Sequence, residues 1–132
     1  MVPLDGSKNS LRGLKFALGV AKQSGSSVIG LNVCSPSMFM ETQSLIIHKI
    51  KQRSNDIIKQ AEKISQKNKV PFFGVVKVSS NIGKMIITYS KNHNVQMIVT
   101  GSRGPDSELE IFLGSVANYI INKSKIPVTI VK

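Results

Sequence analysis

Residues 97–116 read MIVTGSRGPDSELEIFLGSV, and this stretch decides the fold. A short apolar run ends at Thr100 and leads into Gly101-Ser-Arg-Gly104. After nine further residues, Gly114-Ser115-Val116 opens a second apolar segment with helical spacing. Short β-branched runs predict strands, and apolar residues three and four apart predict helices. The stretch therefore predicts a strand, a glycine-rich loop and a helix, in that order.

The same alternation continues through the rest of the 132 residues. Strands are predicted at residues 2–4, 28–33, 72–78, 95–100 and 128–131, and helices from Leu11 to Gly25 and at 41–68, 82–92 and 114–122. Alternating strands and helices predict an α/β fold, with a parallel sheet covered by helices on both faces. The Val- and Ile-rich strands predict burial on both faces. A single domain covering residues 1–132 accommodates these elements, although the first strand is short.

The glycine-rich loop has the composition of a phosphate-binding loop, and it follows a strand, where ligands bind in open α/β sheets. Glycine lets the backbone approach a phosphate closely, and the start of the following helix attracts its oxygens. Ser115 adds a hydroxyl donor, and Arg103 adds charge or a surface for a ribose. A plain connecting loop also explains these residue types, but it does not require the spacing. Three glycines plus Ser or Thr at set offsets arise by chance in about one in a few hundred chains of this length.

These residues resemble a known family. The pattern Gly-x2-Gly-x9-Gly-Ser, formed by Gly101, Gly104, Gly114 and Ser115, is similar to the nucleotide signature of the ATP-binding universal stress proteins. Other segments that resemble the family are Val-Pro-Leu-Asp-Gly-Ser at 2–7, Gly-Leu-Asn-Val at 30–33, Ile-Val-Thr-Gly-Ser-Arg-Gly at 98–104 and Ile-Pro-Val-Thr-Ile-Val at 126–131. The resemblance therefore covers nearly the whole chain.

The resemblance implies a Rossmann-like fold of the adenine nucleotide alpha hydrolase type, with five parallel strands in the order 3-2-1-4-5. It implies a stress-response binding module that regulates partners and forms a homodimer through the last strand, 128–131. The implied ligand is ATP, ADP or AMP, with Mg²⁺ as an optional companion of the phosphates.

The resemblance also implies a role for individual residues. The phosphates would lie on Gly104, Gly114, Ser115 and Val116; Asp5 would lie near adenine and ribose, the Val33 backbone against adenine, and Pro3, Thr100 and Gly101 beside the ribose. From its own residues, Asp-Gly-Ser at 5–7 suits a turn or helix-cap role for Asp5 as well as it suits the ligand role, and Asp5 can hold both roles together.

The loop departs from the family pattern in its charge. Family members often carry Lys or Arg after the second glycine, whereas Asp106, Glu108 and Glu110 follow it here. Carboxylates within one Debye length, about 10 Å, repel a triphosphate unless Mg²⁺ or an outward orientation of the acids intervenes. We therefore expect weaker ATP binding than the glycines suggest, or a preference for AMP or ADP.

The net charge favours an anionic partner. Eighteen Lys and Arg residues against seven Asp and Glu give +11, with a concentration of basic residues from Lys49 to Lys69. This basic helix makes nucleic-acid binding an alternative function. A solvated helix face is the simpler interpretation, because no aromatic residues are interleaved and Trp is absent.

An enzyme is a further alternative, as a slow ATPase or a relative of the ATP-pyrophosphatases. That class carries Ser-Gly-Gly-x-Asp-Ser after its first strand, whereas this chain has Leu-Asp-Gly-Ser. No general base lies beside a nucleophile in the motif loops, so the sequence favours binding without catalysis.

The remaining candidate residues predict structural roles. Cys34 is the only cysteine and reads as a buried side chain at a strand end, and His48 and His93 are isolated and read as surface or helix-end residues. The knot Met38-Phe39-Met40 reads as packing over the sheet or as a dimer contact. No secretory signal or bilayer-spanning stretch is visible, which favours a cytoplasmic protein with no membrane partner.

Overall fold

A computed structural model of the chain describes residues 1–35, 44–103 and 113–132. Its elements, in chain order, are β1 (Val2–Pro3), α1 (Lys8–Ser24), β2 (Val28–Cys34), α2 (Ser44–Lys67), β3 (Phe72–Val78), α3 (Ile82–Asn92), β4 (Ile98–Gly101), α4 (Ser115–Lys123) and β5 (Val128–Val131). Each predicted strand and helix is present. The predicted knot at residues 38–40 lies outside the described residues.

The strands form two parallel sheets rather than the single predicted five-stranded one. One sheet has the order β1-β2-β3 and the other consists of β4 and β5. Both residues of β1, Val2 and Pro3, pair with β2, and no ladder is assigned between β1 and β4. Hydrogen bonds still join the two sheets there: the Met1 amine donates to the Met97 carbonyl (2.8 Å), and the Val99 amide donates to the Met1 carbonyl (2.9 Å).

Two apolar clusters hold the helices on opposite faces of these strands. Helices α1 and α2 share one cluster, and α3 and α4 share the other. The buried members of the first are Val2, Leu4, Leu14, Ala17, Leu18, Ala21, Val28, Ile57, Ala61, Val70 and Val99; those of the second are Leu31, Ile86, Tyr89, Ile98 and Ile120. The predicted helix layers on both faces are confirmed.

Local sequence sets the helix ends. Ser7 caps α1 by accepting a hydrogen bond from the Ser10 amide, and Gly25 ends that helix with a φ of 66° that favours glycine. Strand β4 begins at Ile98 and not at Val95, where the sequence predicts its start. The Val95 amide donates to the Ser90 carbonyl (3.0 Å), which closes the turn after α3 and delays the strand to Ile98.

The edge strands are less buried than their composition predicts. In β3 the side chains of Phe73, Val76 and Val78 are 56%, 38% and 52% exposed. The prediction of burial on both faces is wrong for this strand because β3 lies at the end of its sheet and the neighbouring helix covers only part of it. All four residues of β5 are half-buried. Within the described residues, no helix combines the length and apolarity needed to cross a bilayer.

The amino group of Met1 gives the fold a pH dependence. Burial lowers the pKa of this amine from 8.0 to about 6. The unfolded chain therefore binds more protons than the folded one between these values. We expect the free energy of unfolding to be highest above pH 8 and to fall by about 2–3 kcal/mol as the pH drops to 6.

Urea unfolding at pH 6, 7 and 8 measures this effect. The control adds one residue before Met1, which turns the amine into an amide that still donates to Met97. The difference between the two proteins isolates the amine. Equal pH dependence in both proteins would contradict the assignment.

Candidate functional site

The predicted site lies where the parallel strands β1, β2 and β4 end. Pro3 pairs with Leu31 across β1 and β2, and the Leu4 amide donates to the Leu31 carbonyl (2.8 Å). This bond carries the pairing one residue past β1 and sets the position of Asp5. Val33, half-buried, follows on β2. Three strand ends on one edge are the usual ligand position in an open α/β sheet.

The two halves of the glycine motif are held together by their backbones. The Gly114 amide donates to the Ser102 carbonyl (2.8 Å), and the Ser102 amide donates to the Val131 carbonyl (3.0 Å). The segment between them, which includes Gly104 and the acidic residues Asp106, Glu108 and Glu110, lies outside the described residues. Its two ends therefore meet, and Gly101 with half-buried Arg103 lies near the start of α4.

The start of α4 presents backbone donors. Gly114 is the residue that precedes the helix, and no described side chain caps it. Ser115 is exposed at the first helical position, and half-buried Val116 packs into the α3/α4 cluster. The first N–H groups of a helix need outside acceptors, and the positive end of its dipole favours an anion.

The backbone conformation at position 114 does not require a glycine. Its φ of −61° and ψ of 156° lie in the extended region that any residue adopts. Glycine is also a weaker cap than Ser, Asp or Asn at this position. The backbone angles and the capping role therefore give no reason for glycine at this position.

Gly101 has a packing role in addition to its predicted ligand role. A Cβ atom built on it would lie 2.8 Å from the carbonyl carbon of Asn9 and 2.9 Å from the carbonyl oxygen. The first turn of α1 therefore rests directly on the end of β4. The neighbouring Thr100 is 5% exposed, so its side chain is buried. Sequence reasoning missed Asn9 in this contact.

Asp5 is part of a turn. Its Oδ1 accepts a hydrogen bond from the Ser7 amide (2.9 Å), and Ser7 in turn caps α1. The turn interpretation is confirmed by this bond, and the helix cap is Ser7 rather than Asp5. A carboxylate has two oxygens and accepts several hydrogen bonds, so the turn leaves capacity for a ribose hydroxyl.

Asn32 is a positioning residue that sequence reasoning missed. It is 6% exposed, and its Nδ2 donates to the Leu4 carbonyl (2.7 Å). This bond ties the chain just before Asp5 to β2. The signal was available: a lone amide inside the apolar run Gly-Leu-Asn-Val must find a partner when buried.

A cavity of about 400 Å³ lies to one side of this edge. It is lined by Gly6, Lys49, Gln52, Arg53, Asp56, Ile57 and Gln60. None of the predicted site residues contributes to it; Gly6 only adjoins Asp5. The cavity lies between Gly6 and α2, and its side chains are mostly polar or cationic.

Cysteine and histidine behave as predicted. Cys34 is buried, with its Sγ 2.9 Å from the Ser54 Oγ. His48 is exposed, and His93 ends α3, where its ring stacks on Tyr89 with 3.8 Å between centroids. Among the described residues, no three His, Cys, Asp or Glu side chains are grouped to bind a metal.

Comparison with known proteins agrees with this geometry. The model of the universal stress protein family matches residues 1–132. The chain belongs to the universal stress protein family. It is 31% identical over 144 residues to universal stress protein YxiE of Bacillus subtilis, covering 100% of this chain and 97% of that protein. It is 27% identical over 142 residues to a universal stress protein of Methanocaldococcus jannaschii, covering 100% of this chain and 80% of that protein.

Solved universal stress proteins share the fold. One from Archaeoglobus fulgidus, in complex with dAMP, has a TM-score of 0.72 and 24% identity, with 99% of this chain and 94% of that chain covered. Another, in complex with cAMP, has a TM-score of 0.78 and 19% identity over the same shares. These likenesses confirm the Usp-type α/β fold, including its parallel strands and four helices.

Proposed function

We propose that this universal stress protein is a regulatory module that binds an adenine nucleotide at the carboxyl ends of β1, β2 and β4. The observation that carries the proposal is the bond between the Gly114 amide and the Ser102 carbonyl, 2.8 Å long. It holds both halves of the glycine motif beside a helix start that no described side chain caps. The relatives solved with dAMP and cAMP support an adenine nucleotide as the ligand class.

Each part of the nucleotide has a matching part of the site. The phosphate oxygens accept hydrogen bonds from backbone N–H groups at a helix start, and a ribose hydroxyl donates to the Asp5 carboxylate. Adenine lies against the Val33 backbone. The residues assigned to the ligand are Pro3, Asp5, Val33, Thr100, Gly101, Arg103, Gly104, Gly114, Ser115 and Val116. The site requires the five strands to act as one surface in the order 3-2-1-4-5, joined through Met1.

Mg²⁺ fits this site only as a companion of the phosphates. Magnesium prefers oxygen ligands and retains water. Asp5 supplies the one carboxylate among the assigned residues, and it is already engaged with the Ser7 amide. Phosphate oxygens and water would therefore supply most of the metal's coordination.

Calorimetric titration with ATP, ADP and AMP, each with and without Mg²⁺, tests the proposal. We expect saturable binding of at least one nucleotide, with AMP or ADP binding as tightly as ATP or more tightly because of the acidic loop. GTP is the matched control for base recognition. An absence of heat with all three adenine nucleotides would overturn the proposal.

We further propose that the protein dimerises through β5. β5 pairs with β4 on one side, and its four residues remain half-buried. Helices α1 and α4 both contact β5, and each carries an exposed apolar side chain: Phe16 on α1 is 46% exposed and Ile121 on α4 is 42% exposed. In α4, Tyr119 faces Gly83 of α3, and helical spacing places Ile121 on the opposite flank of the helix. A sheet edge whose neighbouring helices carry exposed apolar residues is suited to pair with a second copy.

A charged side chain introduced at this edge should separate the protomers. Ile121→Lys brings two lysines together across a two-fold interface, which costs desolvation and repulsion. We expect the mass in solution at micromolar concentration to fall from a dimer to the 14.4 kDa monomer. Sedimentation equilibrium measures this change.

Phe73→Lys is the matched control, because Phe73 is exposed on the opposite edge strand, β3. It should leave the dimer intact. A wild-type monomer, or a dimer lost equally in both variants, would contradict the β5 interface.

A further inference from the structure

The helices α1 and α2 together carry most of the chain's positive charge on one side of the molecule. They pack on the same face of the strands, in one apolar cluster. Their exposed Lys and Arg residues are Lys8, Arg12, Lys15 and Lys22 on α1, and Lys49, Lys51, Arg53, Lys59, Lys63 and Lys67 on α2. Against these ten cations stand only two acids, Asp56 and Glu62, both on α2. We call this surface the basic face.

The opposite surface has far less charge. Helices α3 and α4 carry three exposed lysines and no acid, namely Lys84, Lys91 and Lys123. The described helices therefore differ in charge, with ten cations and two acids on the basic face against three cations on the opposite surface. Such polarity attracts a polyanion to one side and orients it.

Most of the cations on α2 form a long stripe along its exposed side, with Asp56 among them. Residues four apart share a helix face, so Lys59, Lys63 and Lys67 are aligned, and the buried residues Ile57 and Ala61 lie on another side. The 18-residue interval from residue 49 to residue 67 spans about 27 Å, the length of about eight base pairs. A second cavity of about 430 Å³ lies along this stripe, lined by His48, Lys51, Gln52, Asn55, Asp56 and Lys59.

The basic face also carries polar side chains of the types that contact phosphates and sugars in nucleic-acid complexes. Gln52, Asn55, Gln60 and Gln66 are exposed along α2, and Asn and Gln side chains join Lys and Arg in hydrogen bonds to nucleic-acid backbones. None of the described exposed large apolar side chains lies on α2, and Phe16 of α1 belongs to the proposed dimer edge. A membrane-binding helix would need an apolar face to insert.

We propose that the basic face binds the phosphate backbone of double-stranded nucleic acid without reading its sequence. The surface lacks the row of aromatic side chains that single strands require, since Phe16 is the one Phe, Tyr or Trp residue on α1 and α2. The proposal does not depend on nucleotide binding, because none of the residues assigned to the nucleotide lies on α1 or α2.

Fluorescence anisotropy tests the proposal with labelled 20-base-pair DNA and RNA duplexes of scrambled sequence, at 50 to 200 mM KCl. We expect binding at 50 mM that weakens steeply with salt. The variant Lys59→Gln/Lys63→Gln/Lys67→Gln should bind at least about tenfold more weakly. The slope of log affinity against log salt should become shallower by about 2–3, since three phosphate contacts are removed.

The matched control is Lys84→Gln/Lys91→Gln/Lys123→Gln, which removes the same charge from the opposite surface and should change affinity by no more than about threefold. Circular dichroism checks that both variants fold. Gly114→Val should bind the duplexes like the wild type, which separates this proposal from nucleotide binding. No binding at 50 mM KCl, equal losses in both triple variants, or tighter binding to vesicles containing 30% phosphatidylserine than to either duplex would overturn it.

Discussion

Gly114→Val is expected to weaken adenine-nucleotide binding by about 100-fold while leaving the protein folded. The added side chain stands at the start of α4, where a phosphate would approach the first N–H groups. Losing two charge-assisted hydrogen bonds there accounts for the effect. The fold should tolerate valine because the backbone angles of Gly114, φ −61° and ψ 156°, are open to any residue. Calorimetry measures the affinity, and thermal unfolding checks the stability.

The matched control is Gly19→Val on α1. A Cβ atom on Gly19 would meet nothing within 4 Å, and this residue is exposed and far along the helix from the site. We expect wild-type nucleotide affinity in the control. Unchanged affinity in Gly114→Val would contradict the proposal that the phosphates bind at the start of α4.

Gly101→Val is expected to have the opposite outcome, a large loss of stability. A Cβ atom on Gly101 would lie 2.8–2.9 Å from three atoms of Asn9, two of them backbone. Backbone atoms inside a helix move only with the helix, so the first turn of α1 must leave β4. We expect a loss of about 3 kcal/mol and a fall in Tm of about 10 °C, since overpacking typically costs this much. Urea and thermal unfolding measure both quantities.

Gly19→Ala is the control for replacing a glycine where space is open, and it should be neutral or slightly stabilising. Nucleotide binding by Gly101→Val should also weaken, because the displaced α1 start carries Ser7 and the turn at Asp5. A variant as stable as the wild type would contradict the contact between Gly101 and Asn9.

The order of strands and helices followed from the sequence because two hydrophobic periods alternate cleanly. The predicted bounds of β3, Phe72–Val78, and of α3, Ile82–Asn92, match the observed ones. Pro71 directly precedes β3, and the side chain of Asn81 caps the start of α3. The split into two sheets was not predicted. It falls between β1 and β4, where the described joining bonds run through the backbone of Met1, and side-chain patterns do not encode such bonds.

Burial and positioning were harder to predict than the elements. Phe73 and Val78 are as apolar as core residues, and their exposure follows from the place of β3 at a sheet edge. The sequence indicates that Asn32 needs a partner, but it does not identify the Leu4 carbonyl, nor does it identify Gly101 as the contact of Asn9, because both are distant in sequence. The glycine motif was visible as a spacing, whereas the packing reason for Gly101 required coordinates.

Amide chemical-shift mapping is the most direct measurement of the central claim. ¹⁵N-labelled protein would be titrated with AMP and with ATP. We predict that the largest shifts fall on the amides of Val33, Gly101, Ser115 and Val116, with little change at Lys49 and Arg53 of the α2 cavity. Shifts confined to that cavity, or none at saturating nucleotide, would contradict a nucleotide site at the carboxyl ends of β1, β2 and β4.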